Sequence, residues 1–191
     1  MTETVARRVM LLVCSAATAC SIGCTQHSSL LRLASYKDPY FPERFQMTPD
    51  ECVFRRDPSG DVQIAGRASY VGPDGARIEQ IFHIHVFWTP RPGKTFDNPT
   101  STNATIQYLV ETPGGTVVYS GAGFAYARKK RFRHDLYISV ESGRLAPSFH
   151  RGEAPDLLAQ TRITGELVAR EDAARTVELR RDLSLKTGRT P

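Results

Sequence analysis

Hydrophobic and polar side chains alternate along most of the chain after Cys52, and this period of two residues is that of a β-strand. The alternating segments are 61–70, 77–88, 104–112, 116–126 and 133–141. Turn-forming clusters separate them at 57–60, 72–75 and 114–115. Segment 77–88 has apolar residues on both faces, which is typical of a central strand covered on both sides. Thr161–Arg170 and Thr176–Leu185 complete the pattern as a last hairpin.

With a further strand from Cys52 to the turn at 57–60, the count is about eight strands. It predicts an all-β fold, a single antiparallel β-sandwich that is immunoglobulin-like in the broad sense. No segment in 51–191 keeps a 3.6-residue period long enough to predict a major helix. Two long loops are expected at 89–103 and 143–160. Gly121 and Gly123 interrupt a strand and predict a bulge or a close approach of two backbones.

Residues 25–50 are polar and show neither period. Two interpretations stay open for this segment. It is either a stem that holds the domain away from a membrane or a strap whose aromatic residues pack along the domain.

Composition places the chain among globular proteins, with 40% hydrophobic and 24% charged residues in 191 positions. The net charge of +5 becomes +4 without the first 23 residues, since these contain Arg7 and Arg8 against Glu3. A mildly basic domain favours anionic neighbours such as headgroups or envelope polymers. No run after residue 24 is apolar enough to cross a membrane as a helix.

The N-terminus has the three parts of a secretory leader. Arg7 and Arg8 form a positive region, an apolar run covers 9–19, and small residues surround Cys20 and Cys24. The end of the leader resembles a bacterial lipobox, in which small residues precede a cysteine that is diacylated before cleavage. The resemblance covers only the leader and implies a lipoprotein precursor anchored in the cell envelope.

Two registers of the lipobox compete, because Gly23 precedes Cys24 and Ala19 precedes Cys20. We favour Cys24, with Cys20 as the alternative, since the apolar run extends through Ile22. Neither register has the usual Leu three positions before the cysteine, and Ala17-Thr18-Ala19 also fits an ordinary secretory cleavage site. The predicted organisation is a signal peptide at 1–23, an acylated cysteine and stem at 24–50, and a domain at 51–191.

His83 and His85 are the sharpest candidate for chemistry, because residues two apart on a strand point to the same side. Such a pair resembles the paired-histidine strands of cupins and of α-type carbonic anhydrases over about four residues. A zinc site needs at least one further protein ligand, which His134 or His150 could supply, although the sequence gives no reason to bring either close. The alternative is a pair of histidines that hydrogen-bond in the core or stand in water.

Two further segments are candidates for surface contacts. A cationic cluster before a strand suggests a patch for anionic lipid or polymer, or a solvated hairpin tip: Arg128, Lys129, Lys130, Arg131 and Arg133. A Pro-rich loop suggests a partner contact or a rigid crossover: Trp88, Pro90, Arg91, Pro92 and Lys94.

The sequence therefore predicts a lipid-anchored, non-enzymatic binding or assembly module that faces the periplasm or exterior. The alternative is a metal-binding protein or metal-dependent enzyme built on His83 and His85. No cofactor is expected apart from a divalent metal in that alternative. The expected partners are the membrane, through the lipid, and an envelope protein or anionic polymer rather than nucleic acid. No nucleophile motif or phosphate loop is present to indicate an enzyme.

Overall fold

The structure is a computed structural model that describes residues 29–38, 40–72, 75–90, 101–129 and 134–188. These residues form nine β-strands and one helix, α1. The strands are β1 Leu30–Ser35, β2 Glu43–Met47, β3 Glu51–Arg56, β4 Val62–Val71, β5 Arg77–Val86, β6 Ala104–Thr112, β7 Gly115–Lys129, β8 Leu136–Gly152 and β9 Thr161–Glu171. The helix α1 covers Ala173–Lys186.

The strands β3 to β9 close into a seven-stranded barrel, so the expected β-sandwich is wrong. Consecutive strands from β3 to β9 pair antiparallel around the barrel. Closure is made by a short parallel pairing in which Val53 and Phe54 of β3 lie opposite Arg170 and Glu171 of β9. A sandwich and a barrel both need an inward and an outward face on every strand, so alternation alone cannot separate them.

The barrel interior holds the main hydrophobic core. Inward residues from all seven strands are buried there, and the largest fully buried ones include Phe54, Phe82, Tyr108 and Tyr119. Gly66 makes room for this packing, because a Cβ atom on it would lie 2.5 Å from the ring of Phe82. The core is therefore filled by side chains and leaves the outer face of the barrel for function.

Strands β1 and β2 lie in the segment for which stem and strap were the two interpretations. Strand β1 pairs with β9, and β2 pairs with β1 as the edge strand. Leu31, Leu33 and Met47 are buried in the main core. Among the aromatic residues of this segment, Phe45 packs against the main core, whereas Tyr40 and Phe41 are 86% and 77% exposed. The ordered sheet therefore begins well before residue 51.

The last element is a helix, so the expected strand at 176–185 is wrong. Asp172 caps α1, since its carboxylate accepts a hydrogen bond from the Arg175 amide (2.9 Å). Leu179 and Leu183 are buried against the outer face of the barrel, whereas Val177 and Leu185 are exposed. These four apolar residues lie at odd positions, which gives the alternating pattern of a strand. In the helix only Leu179 and Leu183, four residues apart, face the barrel.

Ion pairs attach both ends of α1 to the barrel. Arg175 donates two hydrogen bonds of 2.7 Å to the Glu51 carboxylate. Lys186, at the other end of α1, binds the carboxylates of Glu79 and Glu111. Burial lowers the pKa of Lys186, but its hydrogen bonds to Glu111 and Glu79 outweigh burial and raise the pKa above its usual value. The helix thus covers the outer face of β3, β4 and β5.

Strand β8 is much longer than the sequence indicates, so the expected loop at 143–160 is wrong over 143–152. The prediction for the glycines of β7 is confirmed, because a Cβ atom on Gly121 would lie 1.8 Å from the Arg144 carbonyl oxygen. The pairing of β7 with β8 also shifts register between Phe124 and Ala125. Among the described residues, no helix is long and apolar enough to cross a membrane.

Candidate functional site: a basic cleft on the outer face

An open cleft of about 940 Å³ lies on the outer side of β7, β8 and β9. We call it the basic cleft. Its polar lining consists of Tyr36, Ser101, Thr102, Ser120, Ser142, Arg144, Gln160, Thr161 and Arg162. Small residues and Leu145 complete the lining: Ala122, Gly123, Gly143 and Ala146.

Two arginines lie directly opposite each other on the wall of the cleft, Arg144 on β8 and Arg162 on β9. Their neighbours Leu145 and Ile163 are buried in the core, so the alternation of the strands points both arginines outward. Both residues are exposed. Like charges in directly opposite positions of a sheet destabilise it, so this pair has a cost to the fold.

No negative charge in the described residues offsets the two arginines. The described lining of the basic cleft contains no Asp or Glu. Neither arginine forms an ion pair with another residue in the described ranges. Hydroxyl groups surround them instead, and Ser120 shares a hydrogen bond of 2.8 Å with Ser148. The arrangement can bind an anion through two guanidinium groups and neighbouring hydroxyl donors.

Close backbone contacts form the floor of the basic cleft. Strands β7 and β8 approach each other at Gly121 and Gly123, where a Cβ atom would clash with the backbone of β8. Ala122, between them, faces outward opposite Arg144 and adds little side-chain bulk. The small floor residues leave the space above β7 open beside the arginines.

One rim of the cleft is fixed by the segment before β9. The amide of Tyr36 donates to the Gln160 carbonyl (2.8 Å). Asp156 accepts hydrogen bonds from the Tyr119 hydroxyl (2.7 Å) and the Ala159 amide (2.8 Å). Burial of the Asp156 carboxyl raises its pKa, but these hydrogen bonds outweigh burial and hold the pKa below its usual range. The rim is therefore tied to the core through Tyr119.

The histidine pair lies elsewhere on the barrel, under and beside helix α1. His83 is buried, and its Nε2 atom has no hydrogen-bond partner among the described residues. His85 is more accessible, and its Nε2 lies 3.1 Å from Asp61. Burial, with positive Arg180 nearby, lowers the pKa of His83 to about 4.

The ligands needed to complete a metal site do not come together in the described part of the chain. No group of three His, Cys, Asp or Glu side chains there is arranged to hold a metal ion. The Nε2 atom of His150 lies 2.7 Å from the Ala154 carbonyl oxygen on another part of the barrel. His83 and His85 thus share a face, as the strand period predicts, without a third ligand from these residues.

The cationic cluster and the Pro-rich loop are only partly described. Arg128 stacks over the Tyr126 ring at 4.8 Å, and Lys129 lies 3.7 Å from Glu171. Trp88 packs edge-on against Phe124, with ring centroids 6.1 Å apart. The remaining predicted contacts lie outside the described residues: Lys130, Arg131, Arg133, Arg91, Pro92 and Lys94.

The cysteines do not contribute to the basic cleft. Cys20 and Cys24 lie outside the described residues. Cys52 is a free thiol in β3, and burial raises its pKa to about 12. This thiol is therefore a weak nucleophile at neutral pH.

Sequence reasoning missed the basic cleft because its two arginines belong to different strands. The sequence predicts a loop at Arg144, and only the register of β8 with β9 brings this residue opposite Arg162. No local motif contains both residues.

No protein-family model, curated protein or solved structure matches the chain.

Proposed function

We propose that this protein is a lipid-anchored binding module of the bacterial cell envelope and that the basic cleft holds an anionic group of its ligand. The single observation that carries the proposal is the opposed pair Arg144 and Arg162 in a cleft whose described lining has no acidic residue. A bound phosphate, sulfate or carboxylate would relieve the repulsion between the two guanidinium groups.

The chemistry of the described lining favours binding over catalysis. It contains hydroxyl, amide and guanidinium groups, but no carboxylate, imidazole or thiol to act as a general base. The Thr161 hydroxyl donates to the Ala34 carbonyl (2.8 Å), and Ser120 shares its hydrogen bond with another serine, Ser148. A serine nucleophile needs an adjacent base, and Ser148 does not provide one.

The lipid anchor is proposed from the leader and is consistent with this binding role. Acylation at Cys24 would tether the domain through the five residues that separate it from β1. Two acyl chains are needed for stable attachment, because one chain alone binds membranes only marginally.

Titration calorimetry with inorganic tripolyphosphate tests the proposal. We expect the wild-type protein to bind this probe and the double variant Arg144→Gln, Arg162→Gln to lose at least about tenfold in affinity, or about 1.4 kcal/mol. The matched control is Arg151→Gln, Arg181→Gln, which removes the same charge from exposed arginines outside the cleft. Equal losses in both variants would show nonspecific attraction and overturn the proposal, as would wild-type protein that does not bind.

A further inference from the structure

The opposed pair belongs to a longer row of arginines that continues beyond the basic cleft. Arg162 of β9 lies opposite Ala34 of β1, and Ala34 lies opposite Arg44 of β2. The outward row across the four strands is thus Arg44, Ala34, Arg162 and Arg144. Neighbouring strands are about 4.8 Å apart, so the row extends over about 14 Å between its outer Cα atoms.

A fourth arginine lies beside this row. Arg32 of β1 lies opposite Thr164, which is two residues after Arg162 on the same face of β9. Such diagonal neighbours lie about 7–8 Å apart. The two buried neighbours of Arg32, Leu31 and Leu33, show that its side chain points away from the core. We call Arg44, Arg32, Arg162 and Arg144 the arginine track.

None of the arginines of the track is paired with an acidic side chain in the described residues. All four arginines are exposed, and none forms an ion pair with another described residue. Arg32 lies in a second row, between Gln46 of β2 and Thr164 of β9. Neither of these residues carries a charge, and neither does Ala34 in the first row. Glu166 lies two residues beyond Thr164 on the same face of β9, so it is a diagonal neighbour of Arg32, as Arg162 is on the other side. The four arginines therefore form one exposed cationic surface across β2, β1, β9 and β8.

We infer that the arginine track binds a linear acidic polysaccharide, which enters the basic cleft and crosses β9 and β1 toward β2. The inference rests on the proposed function, since the cleft is one end of the track. Repeated charges on an extended chain match cations spaced about 5–10 Å apart across strands. A small anion would occupy Arg144 and Arg162 alone and leave Arg32 and Arg44 without a role.

The lining of the cleft favours a sugar polymer over other polyanions. Ser120, Ser142 and Thr102 offer hydroxyl groups, and Tyr36 offers a half-exposed ring at the rim that can pack against a sugar. Single-stranded nucleic acid requires several aromatic platforms, and Tyr36 is the one aromatic residue in the described lining.

The test compares a galacturonate disaccharide with a galacturonate octasaccharide by titration calorimetry. We expect the octasaccharide to bind wild-type protein at least about tenfold more tightly than the disaccharide. Once its first carboxylates are bound in the cleft, the remaining carboxylates reach the other arginines at high effective concentration. The double variant Arg32→Gln, Arg44→Gln should lose the tighter binding of the octasaccharide and keep the same affinity for the disaccharide. Arg144→Gln, Arg162→Gln should weaken both ligands, whereas the control Arg151→Gln, Arg181→Gln should preserve the gain.

The possible failures separate the two proposals. If tripolyphosphate binds through Arg144 and Arg162 but the octasaccharide binds no more tightly than the disaccharide, the polysaccharide inference is wrong and the proposed function stands. If a single-stranded oligonucleotide of equal charge binds the track more tightly than the octasaccharide, the ligand class is wrong. If no anion binds through Arg144 and Arg162, both proposals fail.

Discussion

The side chain of Asn103 forms hydrogen bonds with both the carbonyl and the amide of Ala125, which is 22 residues later in the chain. Its Nδ2 donates to the Ala125 carbonyl (2.7 Å), and its Oδ1 accepts from the Ala125 amide (2.8 Å). The same Nδ2 also donates to the Trp88 carbonyl (3.0 Å). Asn103 is fully buried, so this amide joins β7 to the segments that follow β5 and precede β6, beside the basic cleft.

Replacing Asn103 should therefore destabilise the barrel strongly. We expect Asn103→Ala to lower the free energy of unfolding by roughly 3 kcal/mol, because buried backbone groups of Ala125 lose their partners. Urea denaturation followed by circular dichroism measures this loss. The control Thr102→Ala, at an exposed neighbour, should stay within about 0.5 kcal/mol of wild type. Equal unfolding midpoints for Asn103→Ala and Thr102→Ala would contradict the assignment.

Two leucines of α1 distinguish a helix from a strand at this position. Leu183 is buried and Leu185 is 56% exposed, whereas a strand would place both on the same face. Leu183→Ala should cost about 3 kcal/mol of unfolding free energy through the cavity that it leaves. Leu185→Ala should cost less than about 0.5 kcal/mol. Similar losses for both variants in urea denaturation would argue against the helix.

The buried imidazole of His83 predicts a stability that falls as the pH falls. With a pKa of about 4 in the folded protein and 6.5 as the ordinary value, His83 stays neutral in the fold while the unfolded chain takes up a proton. Stability is complete above about pH 6.5, decreases as the pH falls toward 4, and loses about 2 kcal/mol between pH 7 and 5. Urea denaturation at several pH values measures this loss.

The variant His83→Gln separates this effect from that of the carboxylates. Glu51 and Glu79 also have lowered pKa values, so their contributions are lost only below about pH 4.5. The variant should therefore show little change in stability between pH 7 and 5. A wild-type protein that is equally stable at these two pH values would refute the prediction.

The opposed arginines predict a gain in stability when one of them is neutralised. Arg144→Gln removes the like-charge contact with Arg162 and should raise the free energy of unfolding by a few tenths of a kcal/mol at low salt. The gain should shrink as salt screens the repulsion. Thermal unfolding with and without added salt measures both effects, and Arg151→Gln is the control. Destabilisation by Arg144→Gln would indicate that a partner already compensates the pair.

The lipobox predicts a modified cysteine at the mature N-terminus. Mass spectrometry of protein purified from membranes should find a diacylated Cys24 as the first residue. The variant Cys24→Ser should accumulate as an uncleaved precursor without added lipid mass. Mature protein that begins at Cys20 and has no lipid would contradict the anchor and leave the basic cleft as a separate proposal.

The sequence by itself determined which residues alternate and therefore the β class of the chain. Strands β4 to β7 were located to within a few residues, because Gly-rich turns bound them and each has one apolar face packed inward. The close approach at Gly121 was predicted for the same local reason, since a missing side chain in a strand permits backbone contact. These features depend on neighbours in sequence.

Only the tertiary structure decided closure, the last helix and the cleft. Alternation is identical in a sandwich and a barrel, and the choice rests on the pairing of β9 with β3, which are far apart in sequence. The residues of α1 alternate like a strand, but two leucines four apart fit the outer face of the barrel. Arg144 and Arg162 face each other through strand register, a long-range property that no local pattern contains.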